Sequence, residues 1–264
     1  MLDWTEVNGT SLRYELSGGG KSTLVLVHEM GGTLESWDQV MPLLSRGRRI
    51  LRHDCRGAGM SEKLRLPPTF DLLADDIAAL LDAVGIEGKV APVGCAVGAG
   101  IALAFALRYP ARVAAVVAMA PATGVAADRR DATLARAEAM ERFGPRGVVE
   151  ESFAASYPPE VRHDAEQYQR FRARWLANDP ESLAATHRML VDATLTEELP
   201  RIECPVLAIA GTHDALRPPA LIEPLAGRMR RARFRSLETG HFMTVQTPVT
   251  VAAAINDFLC ELGL

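Results

Sequence analysis

Read from its start, the chain opens with Leu12, Tyr14 and Leu16 alternating with polar neighbours just after Asn8-Gly9. That alternation around a favourable two-residue turn predicts an N-terminal β-hairpin. The rhythm then changes to short, continuous apolar runs over 23–27, 49–52, 89–93, 113–119, 206–210 and 233–237, several separated by stretches of helical period. Continuous apolar strands alternating with helices predict a parallel sheet covered on both faces. The clearest helix is expected over 70–84, where Leu72, Leu73, Ile77, Leu80, Leu81 and Val84 form one stripe. Pro68-Thr69 supplies its start signal and Gly85 its stop.

Between Pro121 and Pro200 the strand rhythm stops. The segment is polar and helical in pattern, with Phe153, Tyr157, Tyr168, Phe171 and Trp175 spread along it. Helices inserted between two strands of a parallel sheet are expected to lie over the strands' carboxyl ends, where such folds bind ligands. The expected division is therefore a core of residues 1–122 and 201–264 with a helical cap over 123–200. The uncharged run from Val90 to Leu107 reaches membrane-span length, but Pro92, Gly94, Gly98 and Gly100 interrupt it, so it reads as strand, tight turn and helix.

Composition narrows the function. At 264 residues, 48% hydrophobic, the chain can bury one sizeable core with a small lid. A formal charge of −4, with Lys and Arg dispersed, offers no basic stripe, which argues against nucleic acid and membrane surfaces as partners. Cys55, Cys95, Cys204 and Cys260 form no CxxC pair, so neither a zinc site nor a disulfide framework is expected, and a reducing cytoplasm is the simplest setting. The first ten residues carry Asp3 and Glu6 and lack the apolar core of a signal peptide. No phosphate loop or dinucleotide fingerprint occurs, so no cofactor is expected; the partner is a small-molecule substrate. Oligomeric state is open, a homodimer being one arrangement the sequence allows.

The most specific local signal is Gly94-Cys95-Ala96-Val97-Gly98, which follows an apolar strand and opens a helix. A sharp strand-to-helix turn needs glycines two before and two after its apex, because strand and helix approach too closely there for a Cβ. In G-x-S-x-G the apex is a nucleophilic serine; here it is Ala96. His28-Glu29-Met30-Gly31-Gly32 follows the first core strand, where backbone N–H groups can face a developing oxyanion. Asp54 to Ser61, DCRGAGMS, follows the next and reads as a structural turn that braces neighbouring loops through its Asp and Arg. Gly211-Thr212-His213-Asp214 supplies an acid after a late strand, and Gly240-His241-Phe242 a histidine after the last.

With nucleophile position, acid and base in that order, the chain resembles the α/β-hydrolase superfamily over nearly its whole length. Asp54-x-Arg56-Gly57-x-Gly59-x-Ser61 and the segment Asn178-Asp179-Pro180 make it most similar to the 3-oxoadipate enol-lactonase-like group. The resemblance implies a mostly parallel, doubly wound sheet with a helical cap. It implies that Asp214 orients His241, that His241 is the general base, and that the N–H groups of Met30 and Val97 form the oxyanion hole. Three positions depart from the family pattern: Ala96 cannot form an acyl-enzyme, Glu29 stands where glycine is usual, and Cys95 precedes the apex.

Each candidate has a plainer alternative. Cys95, one residue before the apex, is expected to point into the packing beneath the turn as an inert thiol rather than replace the nucleophile. Glu29 either sets a carboxylate beside the reacting group or turns to solvent at the mouth. His28 is expected to brace its loop. His213 is a decoy for the base, since adjacent residues cannot easily pair through their side chains. Trp175 and Tyr168 are expected to wall the substrate pocket, while Arg172, Arg174 and Arg188 are mostly solvated.

Three functions compete. In the first, a small ester, lactone or carbon–carbon bond is cleaved by His241 acting on water or substrate with no covalent step. In the second, a serine hydrolase has been silenced by a Ser-to-Ala substitution at 96. In the third, the protein binds a small ligand without catalysis. Glu29 and Cys95 weigh against a single silencing edit, and an idle pocket needs neither acid nor base, so the first is favoured.

Overall fold

A computed structural model describes residues 2–44 and 46–264. Among the described residues the strands are β1 (Leu2–Val7), β2 (Thr10–Gly18), β3 (Ser22–Val27), β4 (Arg48–His53), β5 (Val90–Cys95), β6 (Val116–Met119), β7 (Val206–Gly211) and β8 (Ala232–Leu237). They form one sheet in the order β1-β2-β4-β3-β5-β6-β7-β8. The hairpin β1–β2 is antiparallel and β2 joins β4 antiparallel; from β4 to β8 every neighbour is parallel. Asn8 and Gly9, both with positive φ, make the hairpin turn, the geometry that favours Asn-Gly at such a connection.

Alternation along the strands divides the core. Val25 and Val27 face one side of the sheet, with helices α1 (Phe70–Ala83) and α2 (Val97–Arg108). Leu24 and Leu26 face the other, against the C-terminal helix Pro248–Glu261. Both sides of the central strands are covered, as a doubly wound parallel sheet requires. Helix α1 is capped by Thr69, whose side chain accepts from Leu72 N–H, so the sequence start signal operates as such.

Two strands differ from expectation. The chain approaches β6 through a tight turn at Pro110–Arg112 and meets β5 only at the isolated pair Val90–Val113, so the continuous ladder begins at Val116 rather than Val113. Strand β8 lies at the sheet edge and alternates half-buried with exposed residues. Its arginines Arg233 and Arg235 pair with Glu261 and Asp257 of the C-terminal helix.

Between β6 and β7 lie α3 (Arg130–Phe143), α4 (Val149–Ser156), α5 (Ala165–Leu176) and α6 (Pro180–Asp192). They share an apolar cluster of their own, built on Phe153, Tyr157, Phe171, Trp175 and Leu183, and this cluster includes Phe242 and Val245 from the segment after β8. Among the described residues no helix is long and apolar enough to cross a membrane.

Candidate active site

The turn between β5 and α2 carries the strain its sequence predicts. Ala96 sits at φ +51°, ψ −113°, a conformation an L-residue adopts only at a cost of about 1–3 kcal/mol when surrounding structure enforces it. Ala96 N–H donates to Met119 O at 2.8 Å, and Ala96 O accepts from Ala122 N–H at 3.0 Å. A Cβ at Gly94 would lie 2.2 Å from Gly98 O, and one at Gly98 would lie 2.2 Å from Val27 O. Only glycine lets the three backbones meet. Val97 opens α2, so its N–H has no partner within the helix and is available to an anion.

Met30 lies in the turn after β3. Gly32 N–H donates to Glu29 O at 3.0 Å, and Gly31 has φ +75°, which makes Met30 the first central residue of a turn that needs glycine in its second central position.

His241 Nδ1 lies 2.8 Å from Asp214 Oδ2, with both side chains buried. Asp214 Oδ1 accepts from the N–H groups of Leu216 and Arg217 at 2.9 Å each. Burial alone would raise the Asp214 pKa, but His241 and the two N–H donors outweigh it and hold the carboxyl below its ordinary range. A carboxylate can only accept, so Nδ1 donates its proton to Asp214 and Nε2 is the ring nitrogen that Asp214 does not engage. The partner of Asp214 is thus His241, not His213. His241 is also anchored to the helical insertion, its backbone N–H donating to Ser156 O at 3.1 Å.

Cys95 is fully buried beneath the turn, its thiol 3.4 Å from His241 O. Burial, with the carboxylates of Glu29 and Asp214 nearby, pushes its pKa well above the ordinary thiol value, which leaves it inert as a nucleophile. His28 braces: its ring bridges Glu29 O through Nδ1 at 2.7 Å and Cys55 N–H through Nε2 at 3.0 Å, so both nitrogens are engaged.

Glu29 does not turn to solvent. Its side chain folds under its own turn, 1% exposed, where Oε1 accepts from Ser36 Oγ at 2.7 Å and Oε2 has no partner. Gly32 has no Cβ because that carboxylate fills the space, 2.3 Å from where one would stand. The Asp54–Ser61 turn braces loops, yet its Asp and Arg do not pair with each other. Asp54 takes Leu34 N–H, Met60 N–H and Arg13, while Arg56 reaches Asp76.

The helical insertion meets the site at the Met30 turn. Trp175 is buried with Nε1 against Gly31, 2.3 Å from the position a Cβ would take, and Asn178 Nδ2 donates to Gly31 O at 2.8 Å. Tyr168 packs one layer further out, on Phe153 and Tyr157 with the Arg162 guanidinium over its ring. Arg172 and Arg188 are engaged by Glu150 and Glu141. Sequence reasoning missed three contributors: Ser36, the Ser156 carbonyl and the Asn178 amide. Asn178 stood in a recognisable motif, but no pattern shows which carbonyl an amide reaches.

The alpha/beta hydrolase fold family matches residues 22–248 of this sequence. The chain belongs to that family. As an α/β-hydrolase it is similar to a protein described as a carbamate hydrolase, RutD, from Caulobacter vibrioides, with 30% identity over 257 residues, 94% of this chain and 95% of that one. Among solved structures it resembles the enol-lactonase from Burkholderia xenovorans LB400, with TM-score 0.90, 26% identity and coverage of 98% of this chain and 100% of the other. A thermophilic esterase from Thermogutta terrifontis superposes with TM-score 0.91 at 26% identity, covering 99% of both chains. The doubly wound sheet and the enol-lactonase-like resemblance read from the motifs are both matched by these relatives.

Proposed function

We propose that this α/β-hydrolase cleaves a small carboxylic acid derivative (an ester, a lactone or an activated carbon–carbon bond) by a route with no acyl-enzyme. The carrying observation is the His241–Asp214 pair at 2.8 Å beside a strained turn whose apex is Ala96. His241 Nε2 takes a proton from water or from the substrate, Asp214 stabilises the imidazolium, and the N–H groups of Met30 and Val97 hold the charge that develops on oxygen. Residues 123–200 act as a cap over a core of 1–122 and 201–264, with Trp175 and Tyr168 on the substrate side. Relatives named as an enol-lactonase, a carbamate hydrolase and a 2-hydroxymuconate semialdehyde hydrolase support a small polar acyl compound as substrate.

The test compares the wild type, His241→Ala and Ala96→Ser on p-nitrophenyl acetate and small lactones. Wild-type turnover that falls by about 10²–10⁴-fold in His241→Ala supports the reading. Turnover confined to Ala96→Ser identifies a silenced serine hydrolase instead. Thermal stabilisation by these compounds with turnover in none of the three forms identifies a binder.

A further inference from the structure

We propose that Gln246 is a positioning residue for the base: its amide and the His241 main chain share the Ser156 carbonyl, and this clamp at the end of α4 holds the imidazole in line with Asp214. The proposal rests on the reading of His241 as base given above, and is indifferent to whether an acyl-enzyme forms. The last carbonyls of a helix have no partner inside it. In α4 two of them are taken by the loops that carry acid and base. Ala155 O accepts from the N–H of Ala215, the residue after Asp214, at 3.3 Å. Ser156 O accepts from His241 N–H at 3.1 Å and from Gln246 Nε2 at 2.9 Å, one donor for each lone pair of a carbonyl. Consecutive residues of the helical insertion thus grip both loops.

Two features indicate that the amide is kept for what it donates. Gln246 is buried and its Oε1 has no partner. An unpaired buried oxygen destabilises a fold, a cost that an apolar side chain of the same length avoids. Gly240, directly before His241, has no left-handed backbone to require a glycine. A Cβ there would instead lie 2.8 Å from both Nε2 and Oε1 of Gln246, so the missing side chain lets the amide lie against the backbone that carries the base.

Deeper in the same loops the main chains already join, Thr212 N–H to Leu237 O at 2.9 Å and His213 N–H to Thr239 O at 3.0 Å. Beyond Thr239 the His241 main chain is held by Ser156 O through its N–H and by the Cys95 thiol at its carbonyl. A thiol is a weak donor, so Ser156 carries the hold. Losing the Gln246 amide touches no reacting atom. It loosens the loop between Gly240 and the insertion and lets the imidazole drift from its line to Asp214, which lowers the rate of proton transfer more than it weakens substrate binding.

The test uses Gln246→Met, which keeps the length of the side chain and removes the donor, with Gly240→Ala as a second variant that crowds the amide from the other side. Two readouts separate positioning from bracing. In proton NMR the Nδ1–H signal of His241, identified by its loss in Asp214→Ala, is expected to shift and to exchange with water at least about five-fold faster in Gln246→Met. With p-nitrophenyl acetate, at a temperature where each variant is folded, kcat is expected to fall about 10-fold and KM to change less than about two-fold. The same fall of about 10-fold is expected in the Ala96→Ser background, because a serine route draws on the same acid and base. Gly240→Ala should reproduce both effects. A Gln246→Met protein with the wild-type signal and kcat overturns the proposal, whatever its Tm, and leaves the amide a brace. Turnover found only with Ala96→Ser, and lowered there by Gln246→Met, sinks the non-covalent reading and upholds this one. Where neither form turns over, the NMR signal alone decides.

Discussion

Replacing Gly31 with alanine tests whether the helical insertion braces the turn that presents the Met30 N–H. Gly31 has φ +75°, and an L-residue forced into that region loses about 1–2 kcal/mol. The new Cβ would also lie 2.3 Å from Trp175 Nε1 and 2.5 Å from its Cδ1. Trp175 cannot retreat, because it is 4% exposed and its ring meets Phe153 edge-on at 5.6 Å; overpacking of this kind adds about 1–3 kcal/mol. Gly31→Ala should therefore destabilise the protein by about 2–5 kcal/mol. Trp175→Ala alone should remove about 3–5 kcal/mol by leaving a cavity. In the double variant the collision vanishes while the backbone strain stays, so the two losses should fall short of additivity by about 1–3 kcal/mol. Equilibrium unfolding in urea, followed by far-ultraviolet circular dichroism so that loss of a tryptophan does not alter the signal, measures all three. Losses that add within about 0.5 kcal/mol would refute the contact between the insertion and the turn.

Other outcomes follow from buried titratable groups. Burial, assisted by Arg136, pushes the His187 imidazole down to about 4 from an ordinary 6.5. The unfolded chain then takes a proton below about pH 6.5 that the folded chain refuses, so this contribution is full above 6.5 and fades as pH falls towards 4, by roughly 1.4 kcal/mol per unit. His187→Gln should flatten the stability profile across that window, and an unchanged slope would contradict the burial. Cysteine alkylation should separate the thiols at pH 8: exposed Cys260 reacts readily, while buried Cys95, its thiol pKa pushed well above the ordinary value, reacts only after denaturation. Peptide mapping that finds Cys95 labelled in the native protein would reopen it as a nucleophile.

Much of this architecture was legible in the sequence because its punctuation is local. Asn8-Gly9 marks its own hairpin, Thr69 and Gly85 bound their own helix, and Gly94 and Gly98 declare a turn too tight for a Cβ. The order of Ala96, Asp214 and His241 could be read because each follows a strand that periodicity reveals. Less legible were directions and partners. A glutamate in a loop reads as solvated, and Glu29 is buried only because Ser36 and the missing Cβ of Gly32 make room for it. Asp54 and Arg56 look like a pair at two residues' separation, yet each has a better partner from a distant element, Arg13 and Asp76. Asn178 reaches a carbonyl 147 positions away, a choice made by how the helical insertion docks and written in no local pattern.

The account turns on a base that works without a covalent intermediate. Rapid-quench intact-mass measurement during the first turnovers with p-nitrophenyl acetate tests this most directly. Product should form at a rate that collapses in His241→Ala while the mass of the wild-type chain stays unchanged throughout, and acetyl adducts should accumulate only in Ala96→Ser. An acetylated wild-type chain that forms and decays at the rate of turnover would contradict it.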